Sequence, residues 1–116
     1  MAGMLYVIIP AAGSSSRMGQ NKLFMKIDGM PVITRTLAAF ANLKNSGTDL
    51  TVVIVTNDAS RSFIAEEVSD HGFDFVEKIV LGGASRTESV YNGILALKEL
   101  PCPPNADDYV FIHDGA

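Results

Sequence analysis

Apolar runs of strand length alternate along the chain with segments of helical period, and this alternation constrains the fold more than any other feature. Residues 5–9, 50–56, 78–81 and 109–113 have strand character, and residues 31–43, 60–69 and 86–100 between them have helical character. Pro31 suits a first helical position, because its φ is fixed and it has no N–H to leave unpaired. Ile33, Leu37, Phe40 and Ala41 then line one face. Ser85 stands three residues before Glu88, the spacing of a capping box, which fixes the start of the third helix. Its apolar face is expected to run through Val90, Ile94 and Leu97.

Strand–helix–strand units join by right-handed crossovers and give parallel sheets. The Val- and Ile-rich strands look buried on both faces, as parallel strands are. The expected fold class is therefore α/β, a doubly wound, Rossmann-like parallel sheet in the order 3-2-1-4. The strand order reverses between the first and fourth strands, so a ligand crevice should open at their C-terminal ends. The fourth strand should lie at an unprotected sheet edge, which favours poor solubility or association.

At 116 residues the chain has the size of one ordinary domain, and 47% hydrophobic content with 19% charge indicates a packed globule. The net charge of −4 argues against nonspecific nucleic-acid binding, which needs a basic face. Cys102, the one cysteine, sits in Pro101-Cys102-Pro103-Pro104, so no intrachain disulfide or thiolate metal cluster is expected, in keeping with a reducing cytoplasm. The N-terminal apolar run is too short to cross a bilayer, and no membrane association is expected.

The first strand empties into Pro10-Ala11-Ala12-Gly13-Ser14-Ser15-Ser16-Arg17-Met18-Gly19, followed by Lys22. Small side chains let backbone N–H groups approach a polyphosphate, and the two cations would neutralise it. Between Pro10 and Ile27 there is no Asp or Glu, whereas Arg17, Lys22 and Lys26 are cationic. An acidic chain thus concentrates positive charge in one loop. The segment fits neither the Walker spacing nor the dinucleotide fingerprint, since Ser15 and Met18 stand where later glycines belong. A plain Ser-rich βα loop with a surface Arg is the competing reading.

Two further segments follow strands. Gly82-Gly83 joins the third strand to a helix N-terminus, where free N–H groups favour an anion or the polar edge of a base. Arg86 and Ser89 follow one helical turn apart, so both can face the crevice. Asp114 ends the fourth strand, where a carboxylate beside a triphosphate is a natural Mg²⁺ ligand. The alternatives are a Gly-rich turn, a solvent-facing Ser89 and a helix-capping or turn Asp. His113 is expected to be a packed structural residue rather than a catalytic one. No Ser/His/Asp arrangement suggests nucleophilic catalysis.

Taken together, the text Pro10-Ala11-Ala12-Gly13-x-x-x-Arg17-Met18-Gly19-x-x-Lys22, then Gly82-Gly83-x-x-Arg86-x-x-Ser89-Val90, then His113-Asp114-Gly115-Ala116 resembles the 2-C-methyl-D-erythritol 4-phosphate cytidylyltransferases of isoprenoid precursor synthesis. The likeness spans essentially the whole chain. It implies that Arg17 and Lys22 stabilise charge in catalysis. It also implies that Ala11, Ala12, Gly13, Gly82, Gly83, Arg86 and Ser89 bind CTP, and that Asp114 binds Mg²⁺. Departures are Ser15 at a usual Gly position and Asn21 and Leu23 flanking Lys22. The Gly-Ser-Ser-Ser-Arg-Met-Gly spelling is also similar to cytidylyltransferases that act on the molybdenum cofactor, although the two later motifs favour the first family.

Members of the family are about twice as long. Residues 1–116 therefore correspond to the N-terminal part of a single nucleotidylyltransferase domain, and the arm that pairs two subunits and the pocket for the polyol phosphate would lie beyond it. The resemblance implies a homodimer at full length, CMP transfer from CTP to the polyol phosphate, and an inactive isolated part. Ribitol 5-phosphate as acceptor, or a non-catalytic CTP-binding module, are the alternatives. A dinucleotide-binding domain is disfavoured by the residues at positions 15 and 18.

Overall fold

The computed structural model describes residues 4–11, 26–27, 29–101 and 103–113. In chain order its elements are β1 (Leu5–Ala11), β2 (Lys26–Ile27), β3 (Met30–Pro31), α1 (Val32–Asn45), β4 (Leu50–Thr56), α2 (Asp58–Asp70), β5 (Val76–Leu81), α3 (Arg86–Lys98) and β6 (Tyr109–Ile112). One sheet runs β5-β4-β1-β6 with every pairing parallel. Counting only its own strands, this is the expected order 3-2-1-4. A small antiparallel hairpin, β2–β3, stands apart from it.

Alternation along the strands sorts side chains into two cores. Val7 and Ile9 of β1 and Val52 and Ile54 of β4 pack with Ile33, Leu37 and Phe40 of α1 and Ile64 of α2. Tyr6 and Ile8, with Val53 and Val55, pack with Ala96 and Leu97 of α3. Helices therefore cover both faces, and the sheet is doubly wound. Buried Thr34 of α1 donates its hydroxyl to the Glu67 carboxylate of α2, which joins the two helices of the first face.

Expectation and structure differ at several points. Pro31 is the residue before α1, with φ −57° and ψ 146°, and not its first helical residue. Pairing of Pro31 with Lys26 holds it extended. α2 begins at Asp58 because the Asn57 side chain caps it, accepting from the Ser60 N–H at 2.8 Å. The buried seam of α3 is Ser89, Gly93, Ala96 and Leu97, whereas Val90 and Ile94 are half-buried. Small residues occupy the closest approach: a Cβ on Gly93 would lie 2.6 Å from Ile8 Cγ2 and 3.1 Å from Val55 Cγ2. Burial on both faces holds for β1 and β4 but fails for β6, which is exposed throughout at the sheet edge. Among the described residues no helix is long and apolar enough to cross a membrane.

Candidate functional site

Parallel pairing brings the C-terminal ends of the strands into one rim. Ala11 of β1 pairs with Thr56 of β4, and Thr56 pairs with Leu81 of β5. The Gly82 N–H then donates to the Thr56 carbonyl at 2.8 Å, so the Gly-Gly segment leaves the sheet beside the residue that opens the first motif. The Asn92 amide of α3 donates to the Leu81 carbonyl at 3.2 Å and fixes the helix against this exit. On the other side of β1, the His113 N–H donates to the Ile8 carbonyl at 3.0 Å, and its ring stands edge-on to Phe40 with centroids 5.5 Å apart. His113 thus has the packed, structural setting expected of it.

Of the expected site residues, Ala11, Gly82, Gly83, Arg86 and Ser89 are described, and they lie at this rim or on the first turn of α3. Ala12, Gly13, Arg17, Lys22 and Asp114 lie outside the described residues. Ser89 is buried on the sheet side of α3, one turn before Gly93, while Arg86 at the first helical position is exposed. The two residues therefore do not share one environment. Thr56, fully buried between the first and second motifs, has a hydroxyl with no hydrogen-bond partner among the described residues. Such a group is uncommon inside a domain and marks this strand end as polar.

The N-cap half of the capping box forms as its spacing requires: Ser85 Oγ accepts from the Glu88 N–H at 3.1 Å. Its second member does something that sequence reading missed. Glu88 folds across Gly83, so that a Cβ built there would meet the Glu88 Cβ and lie 2.5 Å from its carboxylate Oε2. Only glycine fits beneath it. Gly83→Ala is expected to lower the melting temperature by an overpacking cost of about 1–3 kcal/mol. Glu88→Ala, which removes the carboxylate but keeps the Cβ, should give less relief in combination than Glu88→Gly, whose recovery is offset by about 1 kcal/mol for glycine in a helix. Equal melting temperatures for all three variants would contradict this contact.

The same carboxylate changes the electrostatics of the corner. The N-terminus of α3 attracts anions, but a glutamate beside Gly83 opposes a phosphate there. The corner suits a flat ligand edge that donates hydrogen bonds. Positive charge is concentrated elsewhere in the sequence, where Arg17, Lys22 and Lys26 stand without an acidic residue between Pro10 and Ile27. Among the described residues no three or more His, Cys, Asp or Glu side chains group as a metal centre.

Ala11 and Gly82 meet on either side of Thr56 at one rim, and likeness to known proteins identifies the lineage. The family model for IspD, 2-C-methyl-D-erythritol 4-phosphate cytidylyltransferase, matches residues 5–116. The chain belongs to this family. Similar relatives carry the same name: the protein of Halalkalibacterium halodurans is 38% identical over 112 residues, covering 95% of this chain and 45% of its own. That of Geobacter metallireducens is 36% identical over 113 residues, covering 96% and 47%. That of Bacillus mycoides is 35% identical over 115 residues, covering 97% and 46%. The chain thus spans about half the length of the curated relatives it matches. The crystal structure of a 4-diphosphocytidyl-2C-methyl-D-erythritolsynthase from Anaerococcus prevotii superposes with a TM-score of 0.67 at 24% identity, covering 97% of this chain and 43% of that one. This likeness shows that the fold is the cytidylyltransferase one.

Proposed function

We propose that this chain is the CTP-binding half of an enzyme that transfers CMP from CTP to 2-C-methyl-D-erythritol 4-phosphate and releases pyrophosphate. The observation that carries the reading is the shared rim of Ala11 and Gly82 on either side of Thr56 in a member of this family. A phosphate oxygen of the acceptor attacks the α-phosphorus of CTP, and the bond from that phosphorus to the bridging oxygen of pyrophosphate breaks. The attacking phosphate is already ionised near neutral pH, so the protein supplies positioning and charge neutralisation rather than a general base.

The residues divide the nucleotide between them. Ala11, Ala12 and Gly13 present backbone N–H groups to the triphosphate, and Arg17 and Lys22 stabilise the charge that develops on it. Gly82 and Gly83 receive the base, with Arg86 and Ser89 on the adjoining turn. The Glu88 carboxylate against Gly83 favours the amino edge of cytosine over the carbonyl edge of uracil. Asp114 is the residue that would hold Mg²⁺, which takes one or two carboxylates together with phosphate oxygens, so a lone Asp fits the group. When bound, the ion neutralises charge on the phosphates. A cytoplasmic homodimer at full family length completes the proposal.

The coverage of about 46% of a relative's length favours a second reading for the chain by itself, a module that binds CTP without turning it over. Calorimetric titration of the chain with CTP and Mg²⁺, alongside UTP and Mg²⁺, tests the binding half. Binding of CTP in preference to UTP is expected. Equal binding of both, or none of either, would contradict the assignment of Gly82, Gly83 and Glu88 to the base.

A further inference from the structure

α3 holds the segment that leaves β5 at two points. The Asn92 amide donates to the Leu81 carbonyl at 3.2 Å, and the Glu88 side chain lies against Gly83. Glu88 and Asn92 stand four residues apart, so they share one face of the helix, stacked one turn above the other. That face therefore grips both ends of Leu81-Gly82-Gly83. Between the two grips, the Gly82 N–H is tied to the Thr56 carbonyl at 2.8 Å.

The bond from Asn92 meets a need of the sheet. A strand residue directs its N–H and C=O to one side, and the side alternates along the strand. Gly82 faces β4, so Leu81 turns its carbonyl away from β4. Among the described residues no strand lies beyond β5 on that side. A carbonyl only accepts, so it is the amide nitrogen of Asn92 that faces it. The Asn side chain is short, and its reach depends on the close packing of α3 that the adjoining Gly93 permits against Ile8 and Val55. A second tie between the same two elements joins Lys78 to Glu99 at 3.5 Å, at the other end of α3.

We infer that Asn92 is a positioning residue for base selection: its hydrogen bond to Leu81 fixes Gly82-Gly83 relative to the Glu88 carboxylate, and so sets the preference for CTP over UTP. The inference rests on the proposed seating of the base at Gly82 and Gly83. A carboxylate tells an amino edge from a carbonyl edge only at hydrogen-bond range, because such bonds weaken steeply with distance and misalignment. Two consecutive glycines have no side chains to hold their path, and they lose more conformational freedom on ordering than any other residue. Anchoring Leu81 completes that ordering before the nucleotide arrives, which is preorganisation of the site. The triphosphate, matched to Arg17 and Lys22, does not share the anchor.

Calorimetric titration of the protein at full family length with CTP, UTP and inorganic tripolyphosphate, each with Mg²⁺, tests the inference. Asn92→Ala and Asn92→Leu remove the donor and should lower the ratio of CTP to UTP affinity about 3- to 10-fold, the worth of one hydrogen bond. Both place better helix formers in α3, which limits any loss of stability. Tripolyphosphate affinity should not change. Asn92→Gln, which keeps the amide donor, should retain most of the ratio. Lys78→Ala cuts the other tie between α3 and β5 and should leave the ratio at its wild-type value. A wild-type ratio in both donor-free variants, an equal loss in Lys78→Ala, or a matching fall in tripolyphosphate affinity would overturn the inference and leave the proposed base site standing. A wild type without preference for CTP would overturn that site as well.

Discussion

Lys22→Ala, made in the protein at full family length, is expected to lower kcat about 10²–10³-fold, the range for loss of one preorganised group at a site of developing charge. Affinity for CTP should change far less. The reasoning starts from charge. Arg17, Lys22 and Lys26 are the ionisable residues between Pro10 and Ile27, and all three are cationic in a chain of net charge −4. Binding CTP requires only that its existing charge be matched. Displacing pyrophosphate shifts charge onto the leaving oxygen, and a cation held there acts more strongly in the transition state than in the ground state. Steady-state kinetics beside a CTP titration separates the two roles. A raised KM for CTP with unchanged kcat would mean that Lys22 binds the ground state alone.

Gly93→Ala is expected to destabilise the fold despite putting a better helix former in α3. In an exposed helix this exchange is worth up to about 1 kcal/mol in favour of alanine. Here the new Cβ would lie 2.6 Å from Ile8 Cγ2 and 3.1 Å from Val55 Cγ2, both on fully buried, β-branched side chains of the central strands. Stiff χ1 rotamers prevent either methyl from swinging away. Overpacking of this kind costs about 1–3 kcal/mol and outweighs the helix gain. Thermal unfolding should register a fall of several degrees. Ile8→Leu, which removes the Cβ branch, should recover part of the loss, whereas Ile8→Val keeps the offending methyl and should recover none. A higher melting temperature for Gly93→Ala would contradict the close approach of α3.

Much of this arrangement is legible in the residues alone. The strand order and the position of the rim follow from βαβ handedness once the apolar runs are located, and the start of α3 follows from Ser85 and Glu88. What escapes sequence reading has physical causes. The β2–β3 hairpin has two-residue strands, too short for any periodicity, although the φ of +83° at Gly29 belongs to a tight turn. Pro31 satisfies both a first helical position and an extended residue, and its pairing with Lys26 decides between them. Large apolar residues suggest a seam on α3 through Val90 and Ile94, but closest approach selects the small residues Ser89, Gly93 and Ala96. Glu88 carries a recognisable capping role, while its second role over Gly83 depends on the path of the loop.

The central claim is that this chain supplies the nucleotide half of a methylerythritol phosphate cytidylyltransferase. Its most direct test is pyrophosphate release from CTP and Mg²⁺ by the protein at full family length, run separately with 2-C-methyl-D-erythritol 4-phosphate and with ribitol 5-phosphate. Release with the first acceptor and not the second is the predicted result. Release with ribitol 5-phosphate alone would contradict the acceptor assignment, and release with neither would contradict the proposed reaction itself.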